Sequence, residues 1–264
     1  MSHALLLISL AVLVTAGHAC RTQGEGCAGH IPCCAGLRCA IDAGQFWGFC
    51  QPGSGGGGGE QPPTQPPQPP SGGYLISLQE FRTAVTSNGY PSPSEEQYNN
   101  INSRAAGSGS ITTKRELAMF LANILHESDG LRAKEEYNPI NAPYAPYPGR
   151  NYHGRGYIML SHYYNYRDAS QALYGDLRLL ENPDLVKNDD RIAWDAAFWF
   201  WKSRVHSQAG IYEGHFGVSI KFINGGIECV PGGTPQARRR FEMYKKIFQT
   251  FSLPGSPIER GCYN

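Results

Sequence analysis

Between Gly53 and Gly73 the chain reads GSGGGGGEQPPTQPPQPPSGG, eight glycines and six prolines in 21 residues. Apart from Glu60 the run carries no charge, and it holds no side chain able to enter a core. Glycine leaves its first half flexible, and proline keeps its second half extended at about 3.1 Å per residue. Residues 53–73 are therefore expected to be a linker, and everything else must fold as two separate modules, 20–52 and 74–264. A tether of this kind raises the effective concentration of one module on any surface that the other holds.

Residues 1–19, MSHALLLISLAVLVTAGHA, contain an apolar run from Ala4 to Ala16 and end in Gly17-His18-Ala19. Small residues at those two positions are what a signal peptidase inspects, so 1–19 reads as a signal peptide and the protein as secreted and extracellular. The run falls short of the roughly 20 apolar residues that a membrane span needs, and no later segment approaches that length. A net charge of +1 with only 17% charged residues leaves no electrostatic footprint for nucleic acid or an acidic membrane surface. The expected partner is uncharged, and the chain is expected to be a monomer. Eight cysteines behind an export signal favour disulfides over metal ligation. With no Cys-x-x-Cys or His-x-x-x-His pattern, neither metal nor cofactor is expected.

Six of the cysteines, Cys20, Cys27, Cys33, Cys34, Cys39 and Cys50, follow the spacing C-x6-C-x5-CC-x4-C-x10-C. A module this small depends on staples rather than on a hydrophobic core. The spacing resembles the inhibitor cystine-knot (knottin) peptides. Over these residues alone, that resemblance implies the pairs Cys20–Cys34, Cys27–Cys39 and Cys33–Cys50, one of the 15 connectivities that six cysteines allow. The adjacent Cys33-Cys34 is also similar to hevein-type chitin-binding domains. Those have eight cysteines and carry their aromatics soon after the double cysteine, whereas Phe46, Trp47 and Phe49 come late here. Residues 20–52 are read as a carbohydrate-binding module in which these aromatics either stack on sugar or pack the module's own small core.

Residues 74–264 read as mainly α-helical. Ser77-Leu78-Gln79-Glu80 and Thr113-Lys114-Arg115-Glu116 fit the capping box, in which a hydroxyl and an acid three residues on satisfy each other's backbone amides. The second box should open a helix from Lys114 to about Ser128, with Leu117, Phe120, Leu121, Ile124 and Leu125 at helical spacing and Gly130 ending it. Further helices are expected near 162–174, 190–203, 216–224 and 236–250. The Pro, Tyr and Asn-rich stretch NPINAPYAPYPGRNYHGRG lies between, and five tyrosines from Tyr137 to Tyr157 suggest a surface facing a ligand. Cys229 and Cys262 are expected to tie the last helix to the C-terminal tail.

Two carboxylates stand out. Glu127 falls at the edge of the apolar face in the helix's last turn, where the negative end of the dipole and apolar neighbours disfavour its charged form. A raised pKa suits a general acid, although a helix-end glutamate is by itself more often simply solvated. Nine residues on, Glu136 follows Lys134 and Glu135 near Arg132, and positive neighbours favour an ionised base. Taken alone, that run is a solvated turn. The two matter only if the fold brings them into one cleft.

The blocks HES at 126–128, KEE at 134–136, YHGRGYIMLSHYYNY at 152–166, NPDLV at 182–186, AFWFWKS at 197–203 and FINGGIEC at 222–229 together resemble glycoside hydrolase family 19, the plant-type chitinases. The resemblance covers most of Phe120 to Tyr244. It implies a lysozyme-like helical fold and hydrolysis of β-1,4-linked N-acetylglucosamine polymers with inversion, so that 74–264 would be the catalytic domain and chitin its partner. It implies Glu127 as general acid, Glu136 as general base and Ser161 as the serine that helps hold the attacking water. His126, Tyr152, Tyr164, Asn165, Asn224 and Arg240 form the candidate substrate-binding set, with Arg240 able to orient an acid such as Glu136 or Glu228. Plainer roles stand beside these: Ser161 as a helix cap, Tyr164 and Phe198 to Trp201 as core, Asn224 as a helix stop.

Three departures from the family pattern bear on substrate. The interval from Glu127 to Glu136 is short, as in the bacterial and phage members, Met159 replaces a sugar-contacting glutamine, and His153 replaces a tyrosine. A peptidoglycan hydrolase, a non-catalytic chitin-binding protein and a toxin-like or inhibitory knot remain as alternatives to an endochitinase.

Overall fold

The computed structural model describes residues 26–27, 33–40, 48–52, 75–139 and 150–264. The expected signal peptide, the linker, Cys20, Phe46 and Trp47 lie outside them, as do the side chains of Cys27, Cys39 and Phe49. The chain divides into two units, Met1–Glu60 and Gln61–Asn264.

In the first unit three short strands, β1 (Gly26–Cys27), β2 (Leu37–Ala40) and β3 (Gly48–Pro52), form an antiparallel sheet in the order β1-β3-β2. Gly36, at φ 86°, provides the left-handed residue of the turn leading into β2. Cys50 on β3 is buried and bonded to Cys33, one of the three pairs implied by the cystine-knot resemblance; Cys34 is disulfide-bonded as well. So small a sheet has little apolar surface to bury, and the cross-link limits the freedom of its unfolded chain instead.

The second unit is mainly helical and has a lysozyme-like fold. Its helices are α1 (Leu78–Thr86), α2 (Glu95–Ala105), α3 (Lys114–Glu127), α4 (Tyr163–Tyr174), α5 (Arg178–Glu181), α6 (Leu185–Asn188), α7 (Asp190–Phe200), α8 (Ala209–Tyr212), α9 (Phe216–Glu228) and α10 (Pro235–Thr250). A π-helical turn, Trp201–Val205, extends α7. The Ser77–Glu80 capping box forms in full, and a second full box, Ser94 with Gln97, opens α2. At α3 only the Thr113 half forms, because the Glu116 carboxylate turns inward to Trp201 and His206.

Every residue of α3 from Glu116 to Leu125 is buried, so the helix is the unit's central rod rather than an amphipathic surface element. Ala118 and Ala122 lie on the face opposite Phe120 and Ile124, and both faces are buried. Phe120 stacks on Phe198 of α7 at 4.5 Å and meets Trp201 edge-on at 5.4 Å. Phe198 and Trp201 are thus core, whereas Phe200 between them faces a cleft. Tyr152 and Tyr157 are buried too, the first donating to the Leu180 carbonyl at 2.7 Å, which corrects the ligand-facing reading for these two; Tyr137 is exposed, and Tyr144 and Tyr147 lie outside the described residues. Cys229 bonds to Cys262, fastening the tail to the end of α9 rather than to the last helix, α10. Among the described residues no helix is long and apolar enough to cross a membrane.

The tail packs so closely on α9 that a Cβ at Gly217 would overlap the Glu259 carbonyl and come within 2.7 Å of the Cys262 amide. Gly217→Ala is therefore expected to lower stability by about 1–3 kcal/mol through overpacking, even though alanine is the better helix former. Thermal denaturation followed by circular dichroism checks this, with the solvent-exposed Gly226→Ala as the control.

Candidate active site

Glu127 is the last residue of α3. Beyond it the buried Ser128 donates its hydroxyl to the Ile124 carbonyl at 2.7 Å and accepts from the Leu131 amide at 2.9 Å. Asp129, Gly130 and Leu131 then all take positive φ, 48°, 71° and 68°, reversing the chain in three residues. Gly130 sits against the Tyr90 ring, where a Cβ would overlap it. The turn closes with the Arg132 and Ala133 amides on the Ser128 carbonyl and leads into 134–136, paired with 154–156: the Glu136 amide donates to the Gly154 carbonyl at 3.1 Å and the Gly156 amide to the Lys134 carbonyl at 2.9 Å. The short interval between the two glutamates is closed by this turn.

Extended backbone points successive side chains to opposite sides. Glu135 accordingly turns away to Lys187 at 2.8 Å and His153 at 2.7 Å, and the Lys187 hydrogen bond holds its carboxyl below the usual range. Glu136 turns into the cleft. A Cβ at Gly154 would lie 3.1 Å from Glu136 Oε2, so the bare backbone there leaves space for the carboxylate. The positive neighbours inferred from the sequence are engaged elsewhere: Arg132 pairs with Asp129 at 2.5 Å and Lys134 with Asp190 at 3.4 Å. His153 is buried against Glu135.

Arg155, bridged to Glu135, also closes the adjoining wall, a tight hairpin in which Arg155 and Leu160 exchange backbone hydrogen bonds at 3.1 and 2.8 Å. Met159, at φ 50°, and His162, at φ 67°, are non-glycine residues in left-handed conformations on this wall. Strain of this kind costs about 1–3 kcal/mol per residue and persists where surrounding structure enforces it, most often at functional sites. His162, not Ser161, is the residue before α4, and it makes no side-chain cap. Its ring stacks on that of the exposed Tyr164, 5.3 Å apart and 4° from parallel.

Between these walls lies a cleft of about 370 Å³ lined by Glu127, Glu136, Met159, Ser161, Tyr164, Asn165 and Asn224, together with Ile158, Leu160, His162, Phe200 and Ile223. Six of the sequence-predicted site residues thus share one cavity. Asn165 donates to the Ser161 carbonyl at 2.9 Å. Asn224 does not end α9 but kinks it, with φ −144° and ψ 29°, and donates to Glu228 at 2.9 Å.

Arg240, His126 and Tyr152 do not line the cleft. Tyr152 is core. Arg240, 1% exposed on α10, lies beneath Glu127 and holds it and the equally buried Glu228 on one guanidinium, with 2.7 Å to Glu228. Another of its nitrogens reaches Asn123 Oδ1 at 3.4 Å. Of the two acids that the sequence offered Arg240, Glu228 is its partner and Glu136 is not, while the pairing with Glu127, which the sequence set among apolar neighbours, was not foreseen. Burial pushes the Glu228 carboxyl up, but the Arg240 hydrogen bond and charge outweigh it and hold the group below its ordinary value. Burial and then the Arg240 charge lower His126 to about 4. Nδ1 of the half-buried His126 is buried and lacks a partner among the described residues, and the ring lies beside Glu127 outside the cleft lining.

A helical unit built round a buried central helix, with two carboxylates and amide side chains on one open cleft, has the layout of the lysozyme-like glycan-binding hydrolases. The family model described as Chitinase class I matches residues 131–214. The chain is 38% identical over 156 residues to the acidic endochitinase SP2 of Beta vulgaris and 34% identical over 191 residues to the inactive chitinase-like protein 1 of Hevea brasiliensis. These alignments cover 55% and 58% of this chain, and only 52% and 60% of the relatives' own lengths. A solved bacterial family 19 chitinase is 30% identical, with a TM-score of 0.55, covering 72% of this chain and 100% of that one. The chain belongs to glycoside hydrolase family 19.

Both His126 and Glu228 bind protons less readily in the folded chain than in the unfolded one, so each contributes stability above its ordinary value that is lost as pH falls. Stability is expected to decline from about pH 6.5 toward 4 as unfolded His126 takes up its proton, and again below 4.5 as Glu228 does. Urea unfolding across this range checks it: in His126→Gln the decline should begin nearer pH 4.5.

Proposed function

We propose that residues 74–264 hydrolyse β-1,4-linked N-acetylglucosamine polymers, chitin above all, with inversion at the anomeric carbon. The observation that carries this reading is that Glu127 and Glu136, on separate elements, line one cleft. Glu127 gives its proton to the glycosidic oxygen as the C1–O bond breaks. Glu136 takes a proton from the water that attacks the opposite face of the ring, and the Ser161 hydroxyl helps to hold that water. Inversion requires room for the water, which corresponds to carboxyl groups roughly 6.5–9.5 Å apart. Tyr164, Asn165 and Asn224 offer hydroxyl and amide groups for ring hydroxyls and N-acetyl groups, and Met159 offers an apolar surface where glutamine would have offered a hydrogen bond.

Arg240 is a positioning residue in this scheme. Its guanidinium fixes the Glu127 carboxyl while Glu228 balances the buried positive charge. The protein is further read as secreted, with residues 20–52 holding carbohydrate and the 53–73 tether keeping the cleft near that surface.

Glu127→Gln keeps the size and hydrogen-bonding capacity of the side chain but cannot give up a proton. It is expected to lower kcat on soluble chitin oligomers by at least about 10²-fold, the usual contribution of a general acid, with little change in KM. Turnover equal to wild type would overturn the site assignment. Peptidoglycan offered in parallel separates the two polymers: clearance of cell walls without chitin-oligomer cleavage would move the activity to the lysozyme class, and binding without turnover of either would make the chain a non-catalytic binder.

A further inference from the structure

A second constellation lies away from the cleft, round the Glu116 carboxylate that left its capping box. Glu116 is 5% exposed and accepts from Trp201 Nε1 at 2.8 Å. The same oxygen lies 2.7 Å from His206 Nδ1. His206 directly follows the π-helical turn Trp201–Val205, a wide turn that is rare and frequent at functional sites. The other ring nitrogen, Nε2, is 3.1 Å from the hydroxyl of Tyr212, whose side chain is 60% exposed and stands edge-on to the imidazole. None of these residues lines the cleft.

Proton positions follow from donor and acceptor chemistry. An ionised carboxylate only accepts, so the hydrogen between Glu116 and His206 is on Nδ1. In the neutral imidazole the lone pair is then at Nε2, where the Tyr212 hydroxyl is placed to donate across 3.1 Å. Hydroxyl, base and orienting carboxylate stand in the order, and within the distances, that define an activated nucleophile.

We propose that Tyr212 is a covalent modification site, a nucleophilic tyrosine that takes acyl groups from activated esters, with His206 as its base and Glu116 as the orienting carboxylate. In that step the Tyr212 oxygen forms a bond to the ester carbonyl carbon while its proton passes to His206 Nε2. As the bond from that carbon to the leaving oxygen breaks, the leaving oxygen keeps the electron pair and takes the proton from His206, which returns to its neutral form. Burial and the Glu116 charge hold the phenol above its ordinary value, so the proton leaves during bond formation rather than before it. Reactivity therefore depends on the imidazole.

The full chain treated with p-nitrophenyl acetate at neutral pH, followed by peptide mass mapping, tests this. Tyr212 is expected to be acetylated at least about tenfold faster than Tyr137 and Tyr164, which are also exposed but lack a histidine–carboxylate pair at the hydroxyl. His206→Gln should bring Tyr212 down to their rate while chitin-oligomer cleavage stays at the wild-type level. Equal labelling of the three tyrosines in the wild-type chain would overturn the proposal whatever the variant does, and so would unchanged labelling of Tyr212 in folded His206→Gln.

Discussion

The helical unit depends on one buried guanidinium. Taking an arginine out of water costs several kcal/mol unless its fork is matched by acceptors, and Arg240 has them from two other helices: Glu127 and Asn123 on α3, and Glu228 at the end of α9. The planar fork leaves little freedom in where those side chains sit. Glu228 is held in turn by Asn224, and Asn123 donates to Ser219 of α9 and the Met119 carbonyl, each at 2.9 Å. The ends of α3, α9 and α10 are thereby locked together at the point where Glu127 meets the cleft. The Glu127 carboxylate is thus held in place by a buried charge with which it is paired.

The Glu136 side of the cleft is held differently, by backbone. Three successive left-handed residues reverse the chain after α3, an extended pairing to 154–156 fixes the register, and alternation along that strand decides that Glu135 faces Lys187 and Glu136 the cleft. The adjoining hairpin and the residues after it hold Met159 and His162 in strained conformations. Rigid packing on one side and strained backbone on the other suit a site that must present two carboxylates at a fixed separation.

Much of this was legible in the chain itself. The helix starts at Leu78 and Lys114 followed from hydroxyl–acid pairs, because caps act locally. The shared cleft position of Glu127, Glu136, Ser161, Tyr164, Asn165 and Asn224 followed from family resemblance of their blocks. What could not be read was decided by long-range partners. Nothing local says that Glu116 prefers Trp201 and His206 to its own helix cap, or that Arg240 reaches Glu127 across 113 residues. The tyrosines near 152 and 157 misled for the same reason: composition suggested a ligand surface, while tertiary packing made them core. His162 gave no signal at all, since its role at the cleft comes from a backbone angle.

The central claim is that the two glutamates act on opposite faces of the sugar ring. Proton magnetic resonance of the products, recorded in the first minutes of cleavage of a chitin hexamer before mutarotation, tests it most directly. An excess of the α-anomer at the newly formed reducing end is the result expected for water delivered by Glu136. An excess of the β-anomer would mean retention through a covalent or substrate-assisted intermediate, and would contradict the account.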